Sequence, residues 1–137
     1  MRAILIVPVL AVLVACADPS SPAAQPSPEQ PTELRITLAP PDMTGPIYIE
    51  GAVRFVHVTG TGIDVERRLE GDETVLALPA AGDVTLETWA RPCDGNCDTL
   101  DGATDRCDAP LAVPVGTSVA VEIAGSPGHD CTITVTG

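Results

Sequence analysis

The sequence predicts an all-β domain, an antiparallel β-sandwich of about seven strands held by disulfides. Three observations carry that expectation. Apolar side chains recur with period two in short runs from Glu33 onward, which is the signature of half-buried strands. Clusters of Gly, Pro and Asp separate the runs, as turns require. Four cysteines, Cys93, Cys97, Cys107 and Cys131, fall inside the same region, an even number suited to two bridges. Apart from the N-terminus, no segment sustains helical periodicity over three turns.

Taken in order, Leu34, Ile36 and Leu38 alternate with Arg35 and Thr37. In the next run Ile47, Ile49, Val53 and Phe55 share one parity, the expected apolar side, with Tyr48, Glu50 and Arg54 on the other. Ile63, Val65 and Leu69 follow against Asp64, Glu66, Arg68 and Glu70, with Arg67 interrupting the apolar side. Leu76 and Leu78 mark a fourth run. Val84, Leu86 and Ala90 mark a fifth, opposite Thr85, Glu87, Trp89 and Arg91. Val119, Val121 and Ile123 form the sixth, and Cys131, Ile133 and Val135 the seventh. The turn signals are Pro40-Pro41-Asp42, Thr59-Gly60-Thr61-Gly62, Gly71-Asp72, Ala81-Gly82-Asp83 and Gly125-Ser126-Pro127-Gly128. Many short strands with regular turn signals indicate a sandwich rather than an α/β fold.

Tyr48, Phe55 and Trp89 are the only aromatic residues. A core of Val, Ile, Leu and Ala in so small a domain buries limited apolar area, and exported domains of this size commonly compensate with disulfides. The four cysteines allow three connectivities, and in each of them Cys131 ties the last strand to the segment containing Cys93, Cys97 and Cys107. Zinc ligation by the same four residues is an alternative, but their spacing is not a standard zinc motif.

Residues 91–108, between the fifth and sixth runs, read as an acidic loop. Asp94, Asn96 and Asp98 alternate, and Asp105 falls at the twelfth place of an EF-hand-like count. Oxygen ligands at alternating positions closed by a later carboxylate are what a calcium loop requires. The pattern departs from that type at Thr99, where a sharp turn wants Gly, and at Asp105, which replaces a bidentate Glu. The competing reading is a solvated loop in which Asp and Asn serve turn geometry. The expectation is therefore no cofactor, with calcium on Asp94, Asn96, Asp98 and Asp105 as the alternative.

The N-terminus carries Arg2, then an apolar stretch over residues 3–14, then Leu13-Val14-Ala15-Cys16. The stretch is too short for a comfortable membrane span and ends in small residues, the grammar of a secretory signal. The four-residue run resembles the lipobox of bacterial lipoproteins, in which the cysteine thiol is acylated before cleavage. The alternative is an ordinary signal cut at Ala15-Cys16-Ala17. The lipobox resemblance implies a signal over residues 1–15, lipidation of Cys16, and anchorage at the extracytoplasmic face of the plasma membrane. Residues 16–32 are then the lipidated cysteine and a Pro/Ser-rich linker, and residues 33–137 the sandwich. At about 3.1 Å per residue such a linker reaches roughly 50 Å.

Charge agrees with this division. The chain has 19 acidic residues against 7 basic, a formal net charge of −12, and every basic residue is Arg. That balance argues against nucleic acid and against electrostatic attachment to anionic lipid. Membrane attachment must come from acyl chains, of which two hold stably where one does not.

Leu78-Pro79-Ala80-Ala81-Gly82-Asp83 and the run to Arg91 resemble the turn and strand of transthyretin-like or carboxypeptidase-regulatory-like sandwiches. Arg91-Pro92-Cys93-Asp94-Gly95-Asn96-Cys97 and Thr104-Asp105-Arg106-Cys107 resemble a motif in exported lipoproteins of actinobacterial type. The resemblance spans roughly residues 45–136. It implies fold and location, and no activity.

Catalytic chemistry is poorly represented. His57 and His129 are the only histidines; His57 reads as a strand-end residue on the apolar parity, and His129 as a turn residue. No serine lies in a nucleophile-elbow context, and no phosphate-cradling loop is present. Trp89, on the outer parity with Arg91, is a candidate ligand contact for a sugar or a protein; the competing expectation is that the disulfide loop covers it. The sequence thus leads to a non-enzymatic binding or structural accessory module of the cell envelope. Its expected partners are membrane lipid through Cys16 and an envelope protein or polysaccharide. A small envelope enzyme is the remaining alternative.

Overall fold

A computed structural model of the chain describes residues 30–40, 51–93, 96–125 and 131–137. Cys16, most of the linker, Tyr48, Asp94 and His129 lie outside the described residues. The described chain is all-β, with eight strands and no helix. They are β1 (Glu33–Leu38), β2 (Gly51–Gly60), β3 (Ile63–Arg68), β4 (Glu73–Ala77), β5 (Gly82–Cys93), β6 (Thr104–Val113), β7 (Ser118–Ala124) and β8 (Thr132–Val135). Two four-stranded sheets form, ordered β4-β1-β7-β8 and β3-β2-β5-β6. All pairs are antiparallel except β1 with β7.

The core lies between the sheets. Leu34, Ile36, Val121 and Ile123 face it from one sheet and Val56, Val58, Leu86 and Val113 from the other, each nearly or fully buried. The one buried polar residue among those described, Thr88, is satisfied by donating from Oγ1 to the Phe55 carbonyl at 2.9 Å. That bond removes the penalty of an unpaired hydroxyl in an apolar setting.

Two expectations are corrected. The first concerns β2. Its apolar side was expected to hold Val53 and Phe55; Val53 is buried, but Val56 and Val58 belong to the core between the sheets, on the side of Arg54, while Phe55 and His57 face outward. The ladder to β5 runs without a shift from Gly51↔Cys93 to Gly60↔Val84, so parity cannot change along it. In a strand a one-residue difference in register exchanges every side chain between faces. Val56 and Val58, opposite Thr88 and Leu86, decide which face is inside.

The second correction is a missed strand. Residues 104–108 were expected to close the loop, but they open β6, in which Cys107, Ala109, Leu111 and Val113 alternate with exposed Arg106, Asp108, Pro110 and Ala112. β6 is an edge strand, where Pro110 removes no ladder donor that a neighbour needs. The strand count is accordingly eight.

Tight geometry explains two glycines. Gly62 has φ +73° in the turn joining β2 to β3, a conformation costly for other residues. At Gly60 a Cβ would lie 2.9 Å from the Asp83 carbonyl oxygen, so the backbones approach only because it is absent.

The sandwich has two distinct ends. Thr32, where the preceding segment enters, accepts from Gly116 N at Oγ1 (3.1 Å) and from Leu78 N at its carbonyl (2.9 Å). Chain entry therefore lies beside the β4–β5 and β6–β7 connections. Both disulfides lie at the opposite end, joining Cys93 to Cys97 and Cys107 to Cys131. The second links β6 of one sheet to the start of β8 in the other.

Loop length ranks the two bridges. They close sequence separations of 4 and 24 residues. Chain entropy assigns the longer closure about 3.5 kcal/mol and the shorter about 2 kcal/mol. Urea unfolding of C107A/C131A is expected to show the larger loss of stability, and of C93A/C97A the smaller.

Candidate functional site

The end remote from chain entry gathers the chemically distinctive residues. On its outer face, Cys93 and Cys97 pack over Gly51, where a Cβ would meet their sulfurs at 3.2 and 3.3 Å. Arg91, a candidate ligand contact from sequence, is turned to this loop. Its Nε donates to the Asp101 carbonyl at 2.7 Å and its Nη2 to the Leu100 carbonyl at 2.9 Å. The Asp101 amide in turn donates to the Pro92 carbonyl at 2.8 Å. Arg91 thus holds the loop against its parent strand.

The residues expected as calcium ligands are divided. Asn96 Nδ2 donates to Asp98 Oδ2, and the Asp98 amide to Asn96 Oδ1 at 3.4 Å, an Asx-type local turn. Asp105 stands instead at the start of β6, with φ +49°, and acts electrostatically on Arg54. Asp94 is outside the described residues. Among the described residues no group of three His, Cys, Asp or Glu side chains is placed to hold a metal ion.

Trp89 is half-buried on the outer face of the second sheet, as its parity indicated. Directly across on β2 stands Phe55; the two rings are stacked, with centroids 5.8 Å apart and planes 8° from parallel. The Arg106 guanidinium lies over the indole at 5.1 Å from its centroid and also pairs with Glu87 at 2.5 Å. Such contacts give the ring intramolecular partners of the kind a ligand would otherwise supply. Further along the same face His57 bonds Asp64 at 2.7 Å.

The inner face of this end holds a residue that sequence reasoning placed outside. Arg54 points between the sheets, half-buried, into a cavity of about 280 Å³. Leu38, Leu69 and Ala90 contribute apolar wall, and Asp72 and Asp105 the acidic groups. Arg54 Nη1 has Thr88 Oγ1 at 3.5 Å and Cys131 Sγ at 3.8 Å, both long and neutral contacts. Gly125 leaves the guanidinium room, since a Cβ there would stand 3.4 Å from Nη2. Burial draws the Arg54 pKa below its ordinary value, and the Asp105 charge acts in the opposite sense. The group stays cationic, because arginine does not lose its proton in proteins. A signal for this site did exist: the alternation of Val56 and Val58, carried back two residues, reaches Arg54.

A second hollow of about 350 Å³ lies at the opposite end, lined by Ala81, Ala112, Val113, Pro114 and Val115 among others. It has Asp83 as its one charged group and therefore little chemistry to offer. The Arg54 cavity is the stronger candidate.

Comparison with known families, curated proteins and solved structures found no match to this chain.

The packing of Trp89 is directly checkable, since the chain has a single tryptophan. Arg106→Gln removes the cation over the indole and the Glu87 partner together. A shift in Trp89 fluorescence is expected, with a stability loss of up to about 1 kcal/mol, read by fluorescence-detected urea unfolding.

Proposed function

We propose that this chain is a lipid-anchored accessory module of the cell envelope, with binding or structural duty at the extracytoplasmic face of the plasma membrane. The observation that carries this reading is Leu13-Val14-Ala15-Cys16 behind its short apolar lead. The acylated Cys16 holds the membrane, the Pro/Ser-rich segment is a spacer, and the sandwich is the displayed domain. Two disulfides support an oxidising compartment. The strongly acidic composition leaves acyl chains as the means of attachment.

The direction of chain entry supports a working end. A tether reaching Thr32 joins the sandwich at the end opposite the disulfides, the Arg54 cavity and the Asp98 loop. An envelope protein or a polysaccharide is the natural class of partner there. The transthyretin-like resemblance of residues 78–91 fits a display domain, and no cofactor enters this reading.

The test is fractionation of the producing cells with intact-mass analysis of the full mature protein. The wild type is expected in the membrane fraction, released by detergent, with a mass exceeding the Cys16-to-C-terminus chain by its acyl groups. Cys16→Ala is expected to lose that added mass and the detergent requirement. A wild-type protein that is free of acyl mass and soluble without detergent would establish the ordinary secretory signal instead.

A further inference from the structure

The cavity at the disulfide end combines one cation with two carboxylates between apolar walls, and the arrangement is held from several sides. Arg54 projects from the core face of β2, opposite Ala90. The Cys107–Cys131 bridge joins the sheets beside it, with Cys131 Sγ 3.8 Å from Nη1. Leu69 N donates to the Arg54 carbonyl at 2.9 Å, and Leu38 N to the Asp72 carbonyl at 2.8 Å. Leu69 is therefore fixed by a backbone bond to the strand that carries Arg54, and Leu38 to the turn that carries Asp72.

A guanidinium presents five donors in a rigid fork suited to a carboxylate. Among the described residues, no carboxylate lies within ion-pair distance of Arg54. Its polar side-chain contacts among the described residues are a hydroxyl and a sulfur, each longer than a good hydrogen bond. A half-buried cation so placed has the cost of desolvation without, among the described residues, a paired acceptor. Asp105, whose charge acts on Arg54, sits in a left-handed conformation at the irregularity between Thr88 and Ala90 in the β5–β6 ladder. Strained backbone of this kind persists only where the surroundings hold it, and it concentrates at functional sites.

A simple anion suits this cavity poorly. It would meet Asp72 and Asp105 at the wall and the field of a chain of net charge −12. A ligand that brings its own cation does not. We infer that the cavity binds a small zwitterion, an α-amino acid whose carboxylate takes the Arg54 fork and whose ammonium is held by Asp72 and Asp105. About 280 Å³ falls below the range typical of drug-sized sites, and Leu38, Leu69 and Ala90 offer apolar surface to a short side chain. The site does not depend on the lipid anchor, and its test reads binding rather than location.

The full mature protein in detergent is titrated calorimetrically with glycine, L-alanine and D-alanine, and in parallel with propionate and ethylamine. Saturable binding of at least one amino acid is expected, with propionate and ethylamine each at least about tenfold weaker, since each lacks one charge pair. Arg54→Gln is expected to abolish binding. Asp72→Asn, on an exposed turn, is expected to weaken it about tenfold without altering the thermal midpoint. That variant and the analogue series decide the matter if Arg54→Gln does not fold. Arg106→Gln, on the outer face, is expected to leave binding unchanged. No saturable binding of any of the three amino acids would overturn the proposal, as would propionate binding equal to alanine or an affinity indifferent to Asp72→Asn.

Discussion

The unbroken ladder between β2 and β5 is the constraint on which the rest of this structure depends. From Gly51↔Cys93 to Gly60↔Val84 no residue is inserted on either side, so one choice of face governs the whole length. Val56, Val58 and Leu86 make that choice, because each is fully buried and each such side chain is worth roughly 1.5–3 kcal/mol in the core. Everything else on the two strands follows passively. Arg54 is drawn between the sheets, Phe55 and Trp89 are put side by side outside, and Cys93 is brought over Gly51. The cavity, the aromatic pair and the short disulfide are thus consequences of a single register.

The domain distributes its stabilising features unevenly. At the end where the chain enters, connections are short and bonded to Thr32, and hydrogen bonds suffice. At the other end the connections are longer in sequence, and there the covalent ties are found. Cys107–Cys131 acts across the sandwich, linking an edge strand of one sheet to the residue that precedes an edge strand of the other. Cys93–Cys97 acts within one connection, where Arg91 supplies two further bonds to loop carbonyls. With one Trp, one Tyr and one Phe in the chain, large aromatic side chains are not available to do this by packing alone.

Most of the architecture was legible in the sequence, and the failures have local causes. Seven of the eight strands announced themselves because Leu, Ile and Val alternate with charged or hydroxyl side chains. β6 did not, because Cys107 and Ala109 carry its inner face and Asp105, Asp108 and Pro110 surround them. In β2 apolar residues occupy both parities, so the pattern alone admitted two registers, and only the pairing with Thr88 and Leu86 separates them. That ambiguity concealed Arg54 as well. Trp89, by contrast, was placed on the outer face correctly, since Val84, Leu86 and Ala90 leave no doubt about the inner one. The choice among three disulfide connectivities lay beyond sequence, because it depends on which strands become neighbours across the sandwich.

Arg54 shows how stability and use pull against each other in so small a core. A hydrophobic residue at this position would continue the face begun by Val56 and Val58, and replacing buried charge by apolar packing is often stabilising. The guanidinium instead lines a cavity at the end of the sandwich, with Gly125 giving it clearance and Asp105 in a left-handed backbone conformation at the same cavity. The Cys107–Cys131 bridge lies against that same group. A covalent tie between sheets is well placed to offset the packing that a charged residue gives up. The longer cross-link of the domain and its least economical side chain are neighbours, and the covalent tie between the sheets offsets part of what a charged residue in the core face costs.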